Sequence, residues 1–259
     1  MSEVYRGRDT VLGRLVAVKM LTAQSCQNED TRARFLLEAR VSSGISHPNI
    51  ITTFDYGETD GLPYMVLEFL SGRTLKEVLA SGESIALRQR VSLAAQLARA
   101  LAHVHSLKLV HRDIKPDNVH VDSEWRVKLM DFGVVKTDDV NLTQVGFALG
   151  TPHYVAPEVV LGHAVTPLVD VYSFGVLFYE LLSGRRAIDA DTVERIFFLI
   201  LNEPLKFGPI VEAGVPEDLQ IILRNVTARD PKDRTQSMAE VAGQLDAWLE
   251  ATATQQVPL

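Results

Sequence analysis

His111-Arg112-Asp113-Ile114-Lys115-Pro116-Asp117-Asn118 is the stretch on which the reading turns, and Asp131-Phe132-Gly133 follows it, with Asp131 thirteen residues beyond Asn118. Together they supply a carboxylate (Asp113), a lysine (Lys115), a carboxamide (Asn118) and a second carboxylate (Asp131), a set that one triphosphate could touch at once. A turn rich in Asp and Asn is ordinary by itself, because both residues form turns readily. Nothing in turn formation, however, calls for Asp-Phe-Gly at this distance.

Working outward, the stretch before Gly72 reads as sheet plus one helix. Val4 to Arg8 and Leu15 to Leu21 are short β-rich runs joined by Asp9 to Arg14, which contains Gly13. Asp30 can cap a helix running to about Ser43, stopped by Gly44 and by Pro48 beyond it. Ile50 to Tyr56 and Pro63 to Glu68 read as two more strands around the turn Thr59-Asp60-Gly61. After Gly72 helices dominate. Val91, Ala94, Leu97, Leu101 and Val104 make one apolar stripe at helical spacing between Ala86 and Ser106. A hairpin of Val119-His120-Val121 and Val127-Lys128-Leu129 surrounds Asp122-Ser123-Glu124. Helices are expected over Leu168 to Gly184, Thr192 to Leu201, Pro216 to Ala228 and Ser237 to Leu249, then a frayed tail from Ala251 to Leu259. Periodicity alone gives the class α+β.

Composition narrows the chemistry. Of 259 residues 46% are apolar and 23% charged, ordinary for a globular chain, and 26 basic against 33 acidic residues leave a net charge of −7. Without a dense basic run, neither nucleic acid nor an anionic membrane is an expected partner. Cys26 is the only cysteine, so no internal disulfide forms and a reducing, cytoplasmic setting fits. No run approaches the length of a membrane span, and no signal-peptide pattern opens the chain. His103, His105 and His120 have no companions at metal-ligand spacing and read as packed or surface residues, and Trp125 and Trp248 carry no evident role.

The octet and Asp-Phe-Gly match the catalytic-loop and metal-binding signatures of protein kinases. From about Met1 to about Leu249 the chain resembles a eukaryotic-type Ser/Thr protein kinase of the kind found in bacteria. The resemblance implies a two-lobe α+β fold: a sheet-rich N-terminal lobe over residues 1–70, a helical C-terminal lobe over 71–250, a hinge near Phe69-Leu70-Ser71, and a tail at 251–259. It implies ATP and Mg²⁺ as cofactors and protein Ser/Thr hydroxyls as acceptors. Phosphoryl transfer asks mainly for positioning and positive charge. Lys19 of Val16-Ala17-Val18-Lys19 would hold the α- and β-phosphates, oriented by Glu38, whereas a bland reading makes Lys19 a solvated strand lysine and Glu38 a surface helix charge. Asp113 would be the catalytic base and Lys115 would screen the transferring phosphate. Asn118 and Asp131 would hold Mg²⁺. Val4, Ala17 and Leu70 would sandwich adenine, with backbone groups of Glu68 and Leu70 bonded to it and Leu67 as gatekeeper.

The resemblance extends to scaffold and regulation. Thr151, in Gly150-Thr151-Pro152-His153-Tyr154-Val155-Ala156-Pro157-Glu158, would bond near Asp113 and Lys115. Glu158 would pair with Arg234 as a buried brace, and Asp170 would hold the backbone of the catalytic loop. Arg112 before Asp113 implies activation by a phosphate on Thr143 or, second, Thr137, placed there by self-phosphorylation, with Lys136 as a further cation. An unmodified threonine is the plain alternative.

One departure stands out. The family's G-x-G-x-x-G-x-V loop aligns its valine with Val4 and its third glycine with Ser2, so the first two glycines would precede Met1. The reading expects Met1 to be an internal methionine of a longer frame; the rival is a chain lacking the roof over ATP. That rival keeps a second function open, a pseudokinase or impaired kinase acting as a regulatory binding module. A third, a small-molecule phosphotransferase, is disfavoured by Arg112, Phe132 and Ala156-Pro157-Glu158.

Overall fold

The computed structural model describes residues 2–131 and 152–254. Phe132, Gly133, Lys136, Thr137, Thr143 and Thr151 lie outside the described residues.

Strands β1 (Ser2–Arg8) and β2 (Leu15–Leu21) pair antiparallel from Ser2↔Leu21 to Arg8↔Leu15, so β1 begins at Ser2, ahead of the expected Val4. Asp9 shapes the turn between them, its Oδ1 accepting from the N–H groups of Val11 and Leu12, both at 3.0 Å. Helix α1 (Ala23–Cys26) is a single turn, and α2 (Glu29–Ser43) follows. Its cap is Asn28 rather than the expected Asp30: Asn28 Oδ1 accepts from Thr31 N at 2.8 Å, which leaves Glu29 and Asp30 in the first turn, where negative charge complements the helix dipole. Strands β3 (Thr53–Thr59) and β4 (Leu62–Glu68) complete an antiparallel sheet in the order β1-β2-β4-β3. β3 starts later than Ile50, because Asn49 to Ile51 bond instead to Leu129 of the helical lobe: Leu129 N donates to Asn49 O at 2.8 Å and Ile51 N to Leu129 O at 3.0 Å.

Past the hinge, β5 (Arg73–Thr74), β6 (Val119–Val121) and β7 (Val127–Leu129) form a second sheet in that order. β5 and helix α3 (Leu75–Ala80) were not expected. Thr74 caps α3 reciprocally with Glu77, and Gly72 makes the crossing possible: its φ is +135°, and an added Cβ would sit 2.4 Å from Val121 O. The remaining elements are α4 (Leu87–Ser106), α5 (Pro157–Val160), α6 (Leu168–Ser183), α7 (Val193–Asn202), α8 (Gly208–Glu212), α9 (Glu217–Val226) and α10 (Met238–Thr254). α6 is the central post of this lobe, apolar all round and largely buried, as an interior helix must be. At Gly175 a Cβ would meet Thr227 at 2.6 Å, so the close approach of α6 to the end of α9 needs glycine. α10 continues past Leu249 into the expected tail as far as Thr254, because Arg88 of α4 bonds Thr252 Oγ1 at 2.8 Å. Among the described residues no helix is long and apolar enough to cross a membrane.

Candidate active site

The loop carrying His111 to Asn118 is fastened from below. Asp170, in the first turn of α6 and wholly buried, accepts from His111 N and Arg112 N at 2.8 Å each, and His105 Nε2 lies 2.8 Å from the same carboxylate. Consecutive backbone N–H groups converging on one anion form a nest, and Arg112 adopts the left-handed φ of 65° that such a curl uses. A buried carboxylate is tolerable only when donors surround it, and here backbone and imidazole supply them. His105, expected to be a packed or surface residue, is one of these donors.

Above that anchor the side chains converge. Lys115 Nζ and Asn118 Nδ2 each lie 2.8 Å from Asp113 Oδ2, and Asn118 Nδ2 also donates to Asp113 O at 2.8 Å. With its nitrogen facing Asp113, the Asn118 amide turns its carbonyl oxygen the other way. The β6–β7 ladder then fixes the second carboxylate: Asn118 O accepts from Met130 N at 2.9 Å, one residue before Asp131. Asp131 also takes a left-handed φ, 49°, a conformation that costs free energy in a non-glycine residue and tends to occur at functional sites.

The sheet contributes the other charges. Alternation along β2 puts Ala17 and Lys19 on one face. Lys19 Nζ reaches Glu38 Oε1 of α2 at 3.0 Å and Asp131 Oδ1 at 2.7 Å, joining the two lobes through one ammonium. Burial pulls the Lys19 pKa down, but Asp131 and Glu38 outweigh it and leave the group above the ordinary lysine value. Burial pushes the Glu38 carboxyl up, with Lys19 opposing. His111, buried, is held below the usual imidazole value by desolvation and sits between Met130 O (3.2 Å from Nε2) and Asp113 N (3.4 Å from Nδ1), a pattern suited to neutral imidazole.

Between sheet and helices lies a cleft of about 370 Å³, in the size range of small-molecule sites. Val4, Ala17, Leu67, Glu68 and Leu70 line it together with Lys19, Glu38 and Asp131. Sequence reasoning missed Ser42, Thr53 and Met65 in the lining of this cleft. Ser42 stands four residues after Glu38, one turn along the same helix face, and that spacing was the available signal. Glu68 is itself braced, its Oε2 lying 2.7 Å from Lys128 Nζ of β7.

The donor set fits the implied metal and nucleotide. Asn118 and Asp131 offer hard oxygens only, and the described residues contain no cluster of three or more His, Cys, Asp or Glu that could cage an ion. Two protein oxygens suit Mg²⁺, which keeps waters and phosphate oxygens in its shell, and they suit zinc poorly. Lys19 beside the partly exposed Asp131 places a cation for phosphate in a cleft that Val4, Ala17, Leu67 and Leu70 also line.

A family model of the protein kinase domain matches residues 1–244. The Ser/Thr-protein kinase PrkC of Bacillus subtilis is 31% identical over 252 residues, covering 97% of this chain and 39% of that protein. A probable Ser/Thr-protein kinase PknB of Lactococcus lactis is 35% identical, covering 93% of this chain and 39% of its own length. PknA of Mycobacterium tuberculosis is also 35% identical, with 92% and 56% covered. A crystal structure of Rad53 residues 1–466 in complex with AMP-PNP superposes with a TM-score of 0.79 at 26% identity, over 96% of this chain and 62% of that one. The fold is thus the two-lobe α+β architecture of protein kinases. The chain belongs to the protein kinase domain family and is a domain of the bacterial Ser/Thr type. It spans between about two fifths and just over half of the length of these curated relatives.

Proposed function

We propose that this chain transfers the γ-phosphoryl group of ATP to serine or threonine hydroxyls of proteins. Residues 1–70 act as the nucleotide-covering lobe and 71–250 as the acceptor-binding lobe. The observation that carries the proposal is the placement of Asp113, held at 2.8 Å by both Lys115 and Asn118, beside the Lys19–Glu38–Asp131 ion cluster.

Asp113 Oδ aims the incoming hydroxyl and accepts its proton as the new O–P bond forms and the bond from phosphorus to the β–γ bridging oxygen breaks. Lys115 offsets charge on the moving phosphoryl group. Lys19, kept charged by its two carboxylate neighbours, holds the α- and β-phosphates. Asn118 and Asp131 would hold Mg²⁺, which supplies neutralisation of phosphate charge when bound. The walls formed by Val4, Ala17 and Leu70 exclude water around adenine, and the Lys128 brace on Glu68 steadies the hinge peptide. Thr151 and the acceptors Thr143 and Thr137 belong to the same reading, with self-phosphorylation pairing to Arg112. Two comparisons support it: the relatives are named as Ser/Thr kinases, and the Rad53 structure holds AMP-PNP in a fold like this one.

The test is transfer of labelled γ-phosphate to the chain itself or to a generic protein acceptor. Asp113→Asn should lower the rate by about 10²–10⁴-fold, the span for a positioned base. Equal labelling by wild type and variant removes Asp113 from this role. No transfer by wild type, together with a Mg-ATP-dependent rise in Tm, describes a regulatory nucleotide-binding module instead.

A further inference from the structure

α2 carries Glu38, yet little apolar surface holds it. Of its 15 residues only Phe35, Ala39 and Ser42 are buried, and the local core is Leu21, Phe35, Ala39 and Met65. One of the three inward positions is therefore a hydroxyl. Thr53, the first residue of β3, donates from Oγ1 to Ser42 Oγ at 2.9 Å, and Ser42 Oγ donates to Ala39 O at 3.2 Å. Both residues are buried, at 5% and 8% exposure. The relay runs from the sheet into the helix backbone at the residue after Glu38. Thr53 is itself fixed, paired with Leu67 of β4 next to a register shift between Thr53 and Asp55.

Apolar contacts at such a place would let a helix slide or roll at small cost. A hydrogen bond constrains direction as well as distance, weakening steeply when misaligned. A roll of α2 that breaks Thr53–Ser42 also swings Glu38, one turn away on the same face, off its 3.0 Å contact with Lys19.

We propose that the Ser42–Thr53 hydroxyl pair is a positioning device for phosphoryl transfer, setting the roll of α2 and through it the Lys19–Glu38 contact. This inference rests on the reading of Lys19 and Glu38 given above.

The experiment is a double-mutant cycle. Thr53→Val, which removes the hydroxyl and keeps the shape, should lower kcat about five-fold, the equivalent of one buried hydrogen bond. Thr53→Ser, which keeps the hydroxyl, should restore most of the rate. In a Glu38→Gln background Thr53→Val should cost nothing further. Equal losses in both backgrounds, or a serine variant as slow as the valine one, overturn the proposal. Amide hydrogen exchange over 29–43, measured without nucleotide, reads the device independently of activity. Faster exchange in Thr53→Val supports it, and unchanged exchange overturns it even if wild type transfers phosphate. If wild type transfers none, the kinase reading fails and the exchange result alone decides whether the pair holds α2. Should Thr53→Val not fold, Ser42→Ala takes its place in both measurements.

Discussion

The two halves of the candidate active site are held by different physics. On the helical side Asp113 stands on a loop whose backbone is bonded to Asp170, a carboxylate with no exposed surface, and Glu158 is clamped by Arg234, also almost fully buried. On the sheet side Lys19 and Glu38 retain 12% and 21% exposure, and α2 is held by Phe35 and Ala39 against Leu21 and Met65, by the partly buried Val41, and by a pair of hydroxyls. Buried, fully satisfied networks open only with the whole lobe, whereas an element with few apolar contacts can move at local cost. The 111–118 loop is thus built as a fixed point, and the helix carrying Glu38 as the adjustable part.

The largest effect should come from attacking the fixed side. Arg234 binds Glu158 bidentately at 2.7 and 3.1 Å and also donates to Leu168 O and Ala228 O. Arg234→Ala leaves a buried carboxylate unpaired and should cost about 3–5 kcal/mol in chemical denaturation. A loss below about 1 kcal/mol would mean that the clamp is solvated and that the contrast fails. Asp170→Asn comes next. The two backbone N–H donors bond different carboxylate oxygens, so the amide keeps one acceptor and sets its NH₂ group against the other donor, which should cost about 1.5–3 kcal/mol, with transfer falling further than stability because Asp113 loses its footing. Unchanged transfer would show that the loop holds its shape without this anion.

Acidification should sharpen the comparison, because the buried histidines of the helical side and Glu38 of the sheet side titrate with opposite sign. Burial keeps His111 and, in the same lobe, His120 and His153 below the ordinary imidazole value. The unfolded chain then binds more protons than the folded one, so this contribution is complete above about pH 6.5 and is lost as pH falls below it. Glu38 is raised by burial, so its contribution is present below the ordinary carboxylate range and fades as pH rises through its folded value. Thermal midpoints should therefore drop between about pH 7.5 and pH 5.5, and a flat profile would remove the buried histidines from the account. The smallest effect belongs to the outer tie of α2. Arg32 and Glu58 are paired but 39% and 43% exposed, so Arg32→Ala should cost no more than about 0.2–1 kcal/mol and less still in high salt.

The amino-acid order by itself determined much of this protein. Spacing along the chain and periodicity along each strand or helix are local properties, so Lys19 on its strand, the 119–129 hairpin and the 111–118 loop could be read directly. The grouping of Asp113, Asn118 and Asp131 came from the resemblance of the octet and Asp-Phe-Gly to protein kinase signatures. Only tertiary structure decided which groups support them. Asp170 meets His105, Thr53 meets Ser42, and Lys128 meets Glu68, pairs 65, 11 and 60 residues apart, whose meeting depends on how helices and sheets stack. The physical reason is that a hydrogen bond between distant segments leaves no period in a sequence; it exists only once apolar burial has brought the two segments together.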